Sequence, residues 1–496
     1  MISCLTSPLP ESRDISRSLL LQVLYLARFK VSMGKLQEQE GKTSAGRQSA
    51  TLTAHQILFV VQSQRNRHHV EEAEKLRDNI LGQSLELGQA SPEILFLHKI
   101  EEPAGAWTIL PILPRLASTR HGKPAWLFFC TEETLVDLKH LVHLLSQYDH
   151  QQEWFLGHPL YDEEATIIHH FAFHEGSTSF LYPDFEAGWA LSHGLVGRLA
   201  KKWDLTSHDL DFTIDLKHEV ALYIWDGGKG IKLTPVPEFC TLNETGKECA
   251  TAVNTTFPTC GKPVPIEDIF FAVKTCKKFH HDRVPIVWKT WGPQAKHIEF
   301  YSDESDPSIP TITLGVPNTE RGHCGKMFAI LKRMSSHHEL KSIPWLVIVD
   351  DDTLISVPRL AALLSCYNAN DPIYLGERYG YGLHTGGGYN YITGGGGIVL
   401  NRESLWRLLA SGCTCSSDDA PDDMILGMCF HSLGLTTIHC PLFHQARPED
   451  YAQGYLAHQI PISFHKHWNT HPVRVYCEWL FTDDMSTNVC NSRDEL

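Results

Sequence analysis

The chain has 496 residues, 42% of them hydrophobic and 20% charged, without a low-complexity tract, which is long enough for two or more cored domains. Its formal net charge of −15 excludes nucleic acid as the main partner, because phosphate backbones are held by positive surfaces. Any phosphate ligand would have to be held through a metal ion and a few placed cations.

The first 51 residues are expected to form an atypical N-terminus. Their only apolar run, residues 19–27, follows Arg13 and Arg17, contains Gln22 and lacks a small-residue cleavage site, so it reads as a weak signal or anchor. It is too short to span a bilayer, which leaves membrane association at most through this end. From residue 52 onward, apolar runs at 57–61 and 126–130 read as buried strands, and Leu138 opens an amphipathic helix.

These elements then return in the same order. Residues 57–62 match 269–274, Trp126 to Cys130 match Trp345 to Val349, and Phe155-Leu156-Gly157 match Tyr374-Leu375-Gly376. Residues 182–188 match 391–397, and Pro237-Glu238-Phe239 match Pro441-Leu442-Phe443, with offsets always between 204 and 219. Collinearity at a near-constant offset implies an internal duplication. The fold class expected is α/β, as two tandem nucleotide-binding, Rossmann-like units: a degenerate one at 52–240 and a second at 267–492. A linker at 241–266 would carry the sequons Asn243-Glu244-Thr245 and Asn254-Thr255-Thr256.

The second copy holds the chemistry. Its strand ends in Asp350-Asp351-Asp352, and three adjacent carboxylates at the carboxyl end of a strand in an α/β sheet suit a hard divalent cation. The first copy has Thr131-Glu132-Glu133 there, a set that would hold a cation weakly. Lys274, Thr275 and Arg283 follow the opening strand as candidates for phosphate, and Lys326 is a further one. Residues 394–397 are four glycines, and Gly395 and Gly396 would let backbone approach a flat ligand; Phe185 and Glu186 fill this stretch in the first copy and would close such a pocket. Asp422 and Asp423 follow Pro421 at a predicted helix start, one expected as a cap and the other as a general base. His444, which aligns with Cys240, is expected to complete the metal shell with Asp352 and Asp350.

Fourteen cysteines and the final Arg493-Asp494-Glu495-Leu496, one residue from the KDEL retrieval signal, point to the lumen of the endoplasmic reticulum. Together, residues 274–283 with Thr290-Trp291, the Asp triplet, the glycine run, Pro421-Asp422-Asp423 and Pro441-Leu442-Phe443-His444 resemble the fringe-like β1,3-glycosyltransferases, over about residues 52–496. The doubled architecture, the retrieval ending and segments such as Phe464-His465-Lys466-His467-Trp468 are similar to the branch that extends O-linked fucose on thrombospondin type 1 repeats with glucose.

That resemblance implies a GT-A-type fold, UDP-glucose as donor, Mn²⁺ as cofactor, O-fucosylated thrombospondin type 1 repeat proteins as acceptors, and inversion at the anomeric carbon. It implies Asp352 and His444 as metal ligands, Asp350 and Asp351 orienting donor or water, Arg283 at the donor, and Asp423 in preference to Asp422 as base. Competing expectations are a luminal carbohydrate-binding or folding-escort pseudoenzyme and a transferase of galactose or N-acetylglucosamine.

Overall fold

Two sheets with the same strand order carry the protein. The computed structural model describes residues 52–100, 105–118, 124–170, 180–205, 211–242, 248–384, 387–481 and 490. Expectations for residues 1–51, for Asn243 and for the C-terminal tetrapeptide lie outside these residues.

The first sheet runs Thr234–Pro235, Phe155–Gly157, Trp189–Ser192, Trp126–Cys130, Ile57–Val61, Glu93–Phe96. The second runs Ile438–His439, Tyr374–Gly376, Ile398–Asn401, Trp345–Asp350, Ile269–Lys274, His297–Ser302, and adds Thr311–Thr313 at its edge. In each, one strand is antiparallel to its neighbours: Trp126 pairs with Ser192 as Trp345 pairs with Asn401. The remaining pairings are parallel. The runs Ile57–Val61 and Trp126–Cys130 are buried throughout because helices cover both faces, which is why they read as continuous apolar segments rather than alternating ones.

The likeness extends to single hydrogen bonds. The Thr134 hydroxyl accepts from the Thr131 amide and donates to the Glu186 carbonyl; Thr353 does the same with Asp350 and Gly395. Two tandem copies of one α/β unit are therefore present. The expected linker is only partly one. Thr251–Val253 forms a strand antiparallel to Thr134–Val136, the counterpart of Ser463–His465 against Thr353–Ile355, so the first copy uses residues beyond 240 to complete itself. The Cys240–Cys249 disulfide closes that return.

The copies are fused rather than strung together. One apolar cluster contains Leu127 and Trp189 of the first sheet with Val347, Val349 and Val399 of the second. Phe212–Thr213 from the first half pairs with Arg378–Tyr381 from the second. The Gln64 side chain exchanges two 2.8 Å hydrogen bonds with the His439 backbone. Disulfides Cys260–Cys366, Cys324–Cys415, Cys413–Cys429 and Cys477–Cys490 add crosslinks, most of them in the second half. No described helix is long and apolar enough to cross a membrane.

Trp189 is fully buried, stacked on Phe129 at 4.0 Å and on Phe185 at 5.0 Å between ring centroids. Trp189→Ala is expected to cost about 3–5 kcal/mol through lost burial and a residual cavity. A shift of the denaturant midpoint at unchanged slope checks it.

Candidate active site

Strand register builds the site. Lys274 is the direct partner of Asp350 on the adjacent parallel strand, so both side chains leave the sheet at the same end. The chain then turns through Asp351 and Asp352 into Thr353–Ile355, whose antiparallel partner sets His465 opposite Thr353. The Lys274 ammonium, buried, lies 3.0 Å from Asp350 Oδ1 and 2.5 Å from Asp422 Oδ2. Thr275 Oγ1 donates to Asp351 at 2.7 Å, and one Arg283 nitrogen reaches Asp351 and Asp352, each at 2.9 Å. The guanidinium stacks 3.7 Å above the Phe279 ring.

These contacts divide the carboxyls by electrostatics. Burial pushes Asp351 up to about 7, with repulsion from Asp352 added and Arg283 opposing. Burial acts on Asp352 in the same sense, but His465 and Arg283 outweigh it and hold that carboxyl well below the usual range. Asp422 is likewise held low by Lys274 against its own burial. Asp423 has no such cation in contact; burial and the Asp422 charge push it up to about 6.

The helix Asp422–Ser432 starts after Pro421, so both aspartates fall in its first turn, where acids complement the helix dipole. Asp423 accepts from the Met424 amide at 2.8 Å and, through its other oxygen, from Gly394 N at 3.2 Å, so the expected division into one cap and one base is not met. Asp422 turns instead to Lys274.

The expectation for His444 is corrected. Its ring is buried, stacked on Phe464, with Nδ1 3.0 Å from the Ser463 carbonyl and Nε2 3.0 Å from Gln459 Oε1. The histidine at the carboxylates is His465, with Nε2 3.1 Å from Asp352 Oδ1 and 3.7 Å from Asp350 Oδ2. Its Nδ1 lies 2.8 Å from the Gln445 carbonyl, a contact that orients the ring with Nε2 toward the acids. Asp350, Asp352 and His465 each offer one ligand atom, all within 4.8 Å of one another, a donor set that fits a divalent cation. The sequence contains a sign of this: the first copy has Val253 at the position of His465, whereas Cys240, opposite His444, is taken up in a disulfide.

The glycine run also serves a different purpose from the one expected. A Cβ on Gly395 would come within 2.2 Å of the His465 ring, so this position is small to admit the imidazole. Gly395 and Gly396 amides both donate to Gln445 Oε1, at 2.9 and 3.1 Å, a residue that no motif in the sequence singles out. Lys326 sits behind the site, its ammonium 2.5 Å from the Thr275 carbonyl, where it braces the turn that carries Thr275. Apart from His444, the expected residues form one connected cluster.

Comparison with known proteins follows the same lines. The sequence profile described as Fringe-like matches residues 113–239 and 264–485. The chain belongs to the Fringe-like family. A β-1,3-glucosyltransferase of Mus musculus is 59% identical over 425 residues, covering 86% of each chain. One of Homo sapiens is 59% identical over 428 residues, covering 86% of this chain and 85% of that one. The β-1,3-N-acetylglucosaminyltransferase lunatic fringe of Bos taurus is 28% identical over 205 residues, 37% of this chain and 54% of its own. The protein is thus an enzyme, a β1,3-glycosyltransferase.

In the first copy the register puts Gln62 where the second has Lys274, and Thr131 where it has Asp350; sequence alignment puts His218 at Asp422. A charged trio has become an uncharged one. Lys274→Met is expected to cost about 3–5 kcal/mol, since it leaves buried Asp422 and half-buried Asp350 without their cation. Lys274→Gln combined with Asp350→Thr and Asp422→His should recover most of that loss in thermal denaturation.

Proposed function

We propose that the second unit transfers glucose from UDP-glucose in β1,3 linkage to O-linked fucose on thrombospondin type 1 repeats, with inversion. The observation that carries this reading is the grouping of Asp350, Asp352 and His465 beside a further carboxyl, Asp423, whose pKa is raised to about 6. Two relatives named β-1,3-glucosyltransferase, matched over most of both chains, support glucose as the sugar.

Asp350, Asp352 and His465 would hold Mn²⁺, which when bound supplies Lewis-acid stabilisation of charge on the departing UDP. Arg283 offers fixed positive charge to a diphosphate, and Lys274 keeps Asp422 ionised and holds Asp350 in place. Asp423 accepts the proton from the fucose 3-hydroxyl. That oxygen bonds to the glucose anomeric carbon as the bond to the UDP oxygen breaks, and UDP leaves with the bonding pair. The transition state is oxocarbenium-like, as in inverting glycosidases, with a sugar oxygen in place of water. A carboxyl poised near 6 is ionised at neutral pH yet basic enough to take a proton as the bond forms.

We place this activity in the lumen of the endoplasmic reticulum. Five disulfides, the exposed Asn254 sequon and the Arg493-Asp494-Glu495-Leu496 ending support it.

Incubating the protein and Mn²⁺ with several UDP-sugars and a fucosylated repeat should give turnover with UDP-glucose. Turnover with another donor alone overturns the assignment. Asp423→Asn should lower kcat by about 10²–10⁴-fold. Since Asp423 works only as the carboxylate and its pKa is raised to about 6, the rate should hold above that pH and fall about tenfold per unit below it. A flat profile down to pH 4 would remove Asp423 from the role. Glu132→Ala with Glu133→Ala in the first unit should keep most of the activity.

A further inference from the structure

A cavity of about 460 Å³ opens at the carboxyl ends of the first sheet, a size that accommodates small ligands. Its floor is the first unit's counterpart of the catalytic cluster: Gln62, Thr131, Glu132, Glu133 and Glu186. Its opposite wall comes from the second unit, through Glu377, Arg378, Tyr379 and Tyr455. The expectation that Phe185 and Glu186 close this pocket is not met. Phe185 turns down onto Trp189 in the core, and Glu186 lines the opening.

The lining is wrong for a metal-bound diphosphate. Gln62 stands for the lysine and Val253 for the metal histidine, while Glu186 puts a carboxyl where the second unit has Gly395. Of the cations at the lining, Lys217 pairs with Asp215 at 3.0 Å and sits over the Tyr455 ring, Arg378 lies 3.9 Å from the Trp107 ring, and Arg65 is exposed. A phosphate would meet the carboxyls of Glu132, Glu133 and Glu186 on the floor.

The same lining suits an uncharged polyhydroxylated ring. Burial pushes Glu132, Glu133 and Glu377 each up to about 8, so at neutral pH these carboxyls both donate and accept. Trp107, Tyr379 and Tyr455 supply aromatic walls. Gln62 Oε1 and Arg378 Nε are buried without a hydrogen-bond partner, and such orphans ask for a ligand or water. We propose that this cavity, shared between the two halves, is a second site that binds a neutral saccharide and takes no part in donor binding. It rests on this geometry and on membership of a glycosyltransferase family, and it stands whichever donor the second unit uses.

Saturation-transfer NMR on the full-length protein tests it, with L-fucose, D-glucose and the glucosyl-β1,3-fucose disaccharide as probes. At least one should bind in the millimolar range, and excess UDP with Mn²⁺ should not displace it. Preference for fucose marks a site for the acceptor sugar; preference for the disaccharide marks a site for the finished glycan. Gln62→Leu and Glu133→Gln should each weaken binding at least tenfold, with melting temperature and UDP binding as controls for folding, whereas Asp352→Asn should leave it unchanged. Absence of binding by all three probes overturns the proposal, as does a signal removed by UDP or by Asp352→Asn. Failure of glucose transfer with saccharide binding intact would instead overturn the function proposed for the second unit.

Discussion

A single buried ammonium makes the catalytic cluster affordable. Lys274 lies between Asp350 and Asp422, which come from strand and helix segments far apart in sequence, and it offsets the burial of Asp422 while anchoring Asp350. Neutralising these two leaves the others free for different work. Asp352 faces His465 and Arg283, and Asp423, outside the reach of any direct cation, stays weakly acidic. Register fixes the arrangement, because Lys274 and Asp350 are paired residues of adjacent parallel strands.

The duplicated half shows what happens when that constraint is lifted. With Gln62 and Thr131 in place of Lys274 and Asp350, that lysine–aspartate pair is absent there, and the apolar framework is kept to the level of matching threonine hydrogen bonds. The first half then serves as more than a passive copy. Its helices and strands share one core with the second, lend the strand Phe212–Thr213 to it, and wall one side of a cavity whose other side comes from the second unit. Removing it would expose apolar surface on the second unit, so the two halves are expected to fold and act together.

Much of this was legible in the residues. The collinear repeat gave two α/β units, and the contrast between Asp350-Asp351-Asp352 and Thr131-Glu132-Glu133 pointed to the second as the place to look for chemistry. What could not be read were pairings across long sequence distances. His465 reaches the acids only because its strand is antiparallel to Thr353–Ile355, which sets it against Thr353 far back in the sequence, while His444 had a motif but points into packing against Phe464. Gln445 was invisible for the same reason: an amide that satisfies two glycine N–H groups leaves no pattern. The strand Thr251–Val253 hid in a stretch whose prolines, glycine and sequons read as linker, because three residues are too few to show a period.

The central claim is that Asp350, Asp352 and His465 together hold a divalent ion that secures the donor's diphosphate. Calorimetric titration of UDP with and without Mn²⁺, on the unmodified protein and on His465→Ala, tests it most directly. The account predicts UDP binding that requires Mn²⁺ and weakens by more than about tenfold in the variant, which keeps its fold. UDP affinity indifferent to Mn²⁺, or unchanged in a folded His465→Ala protein, would contradict it.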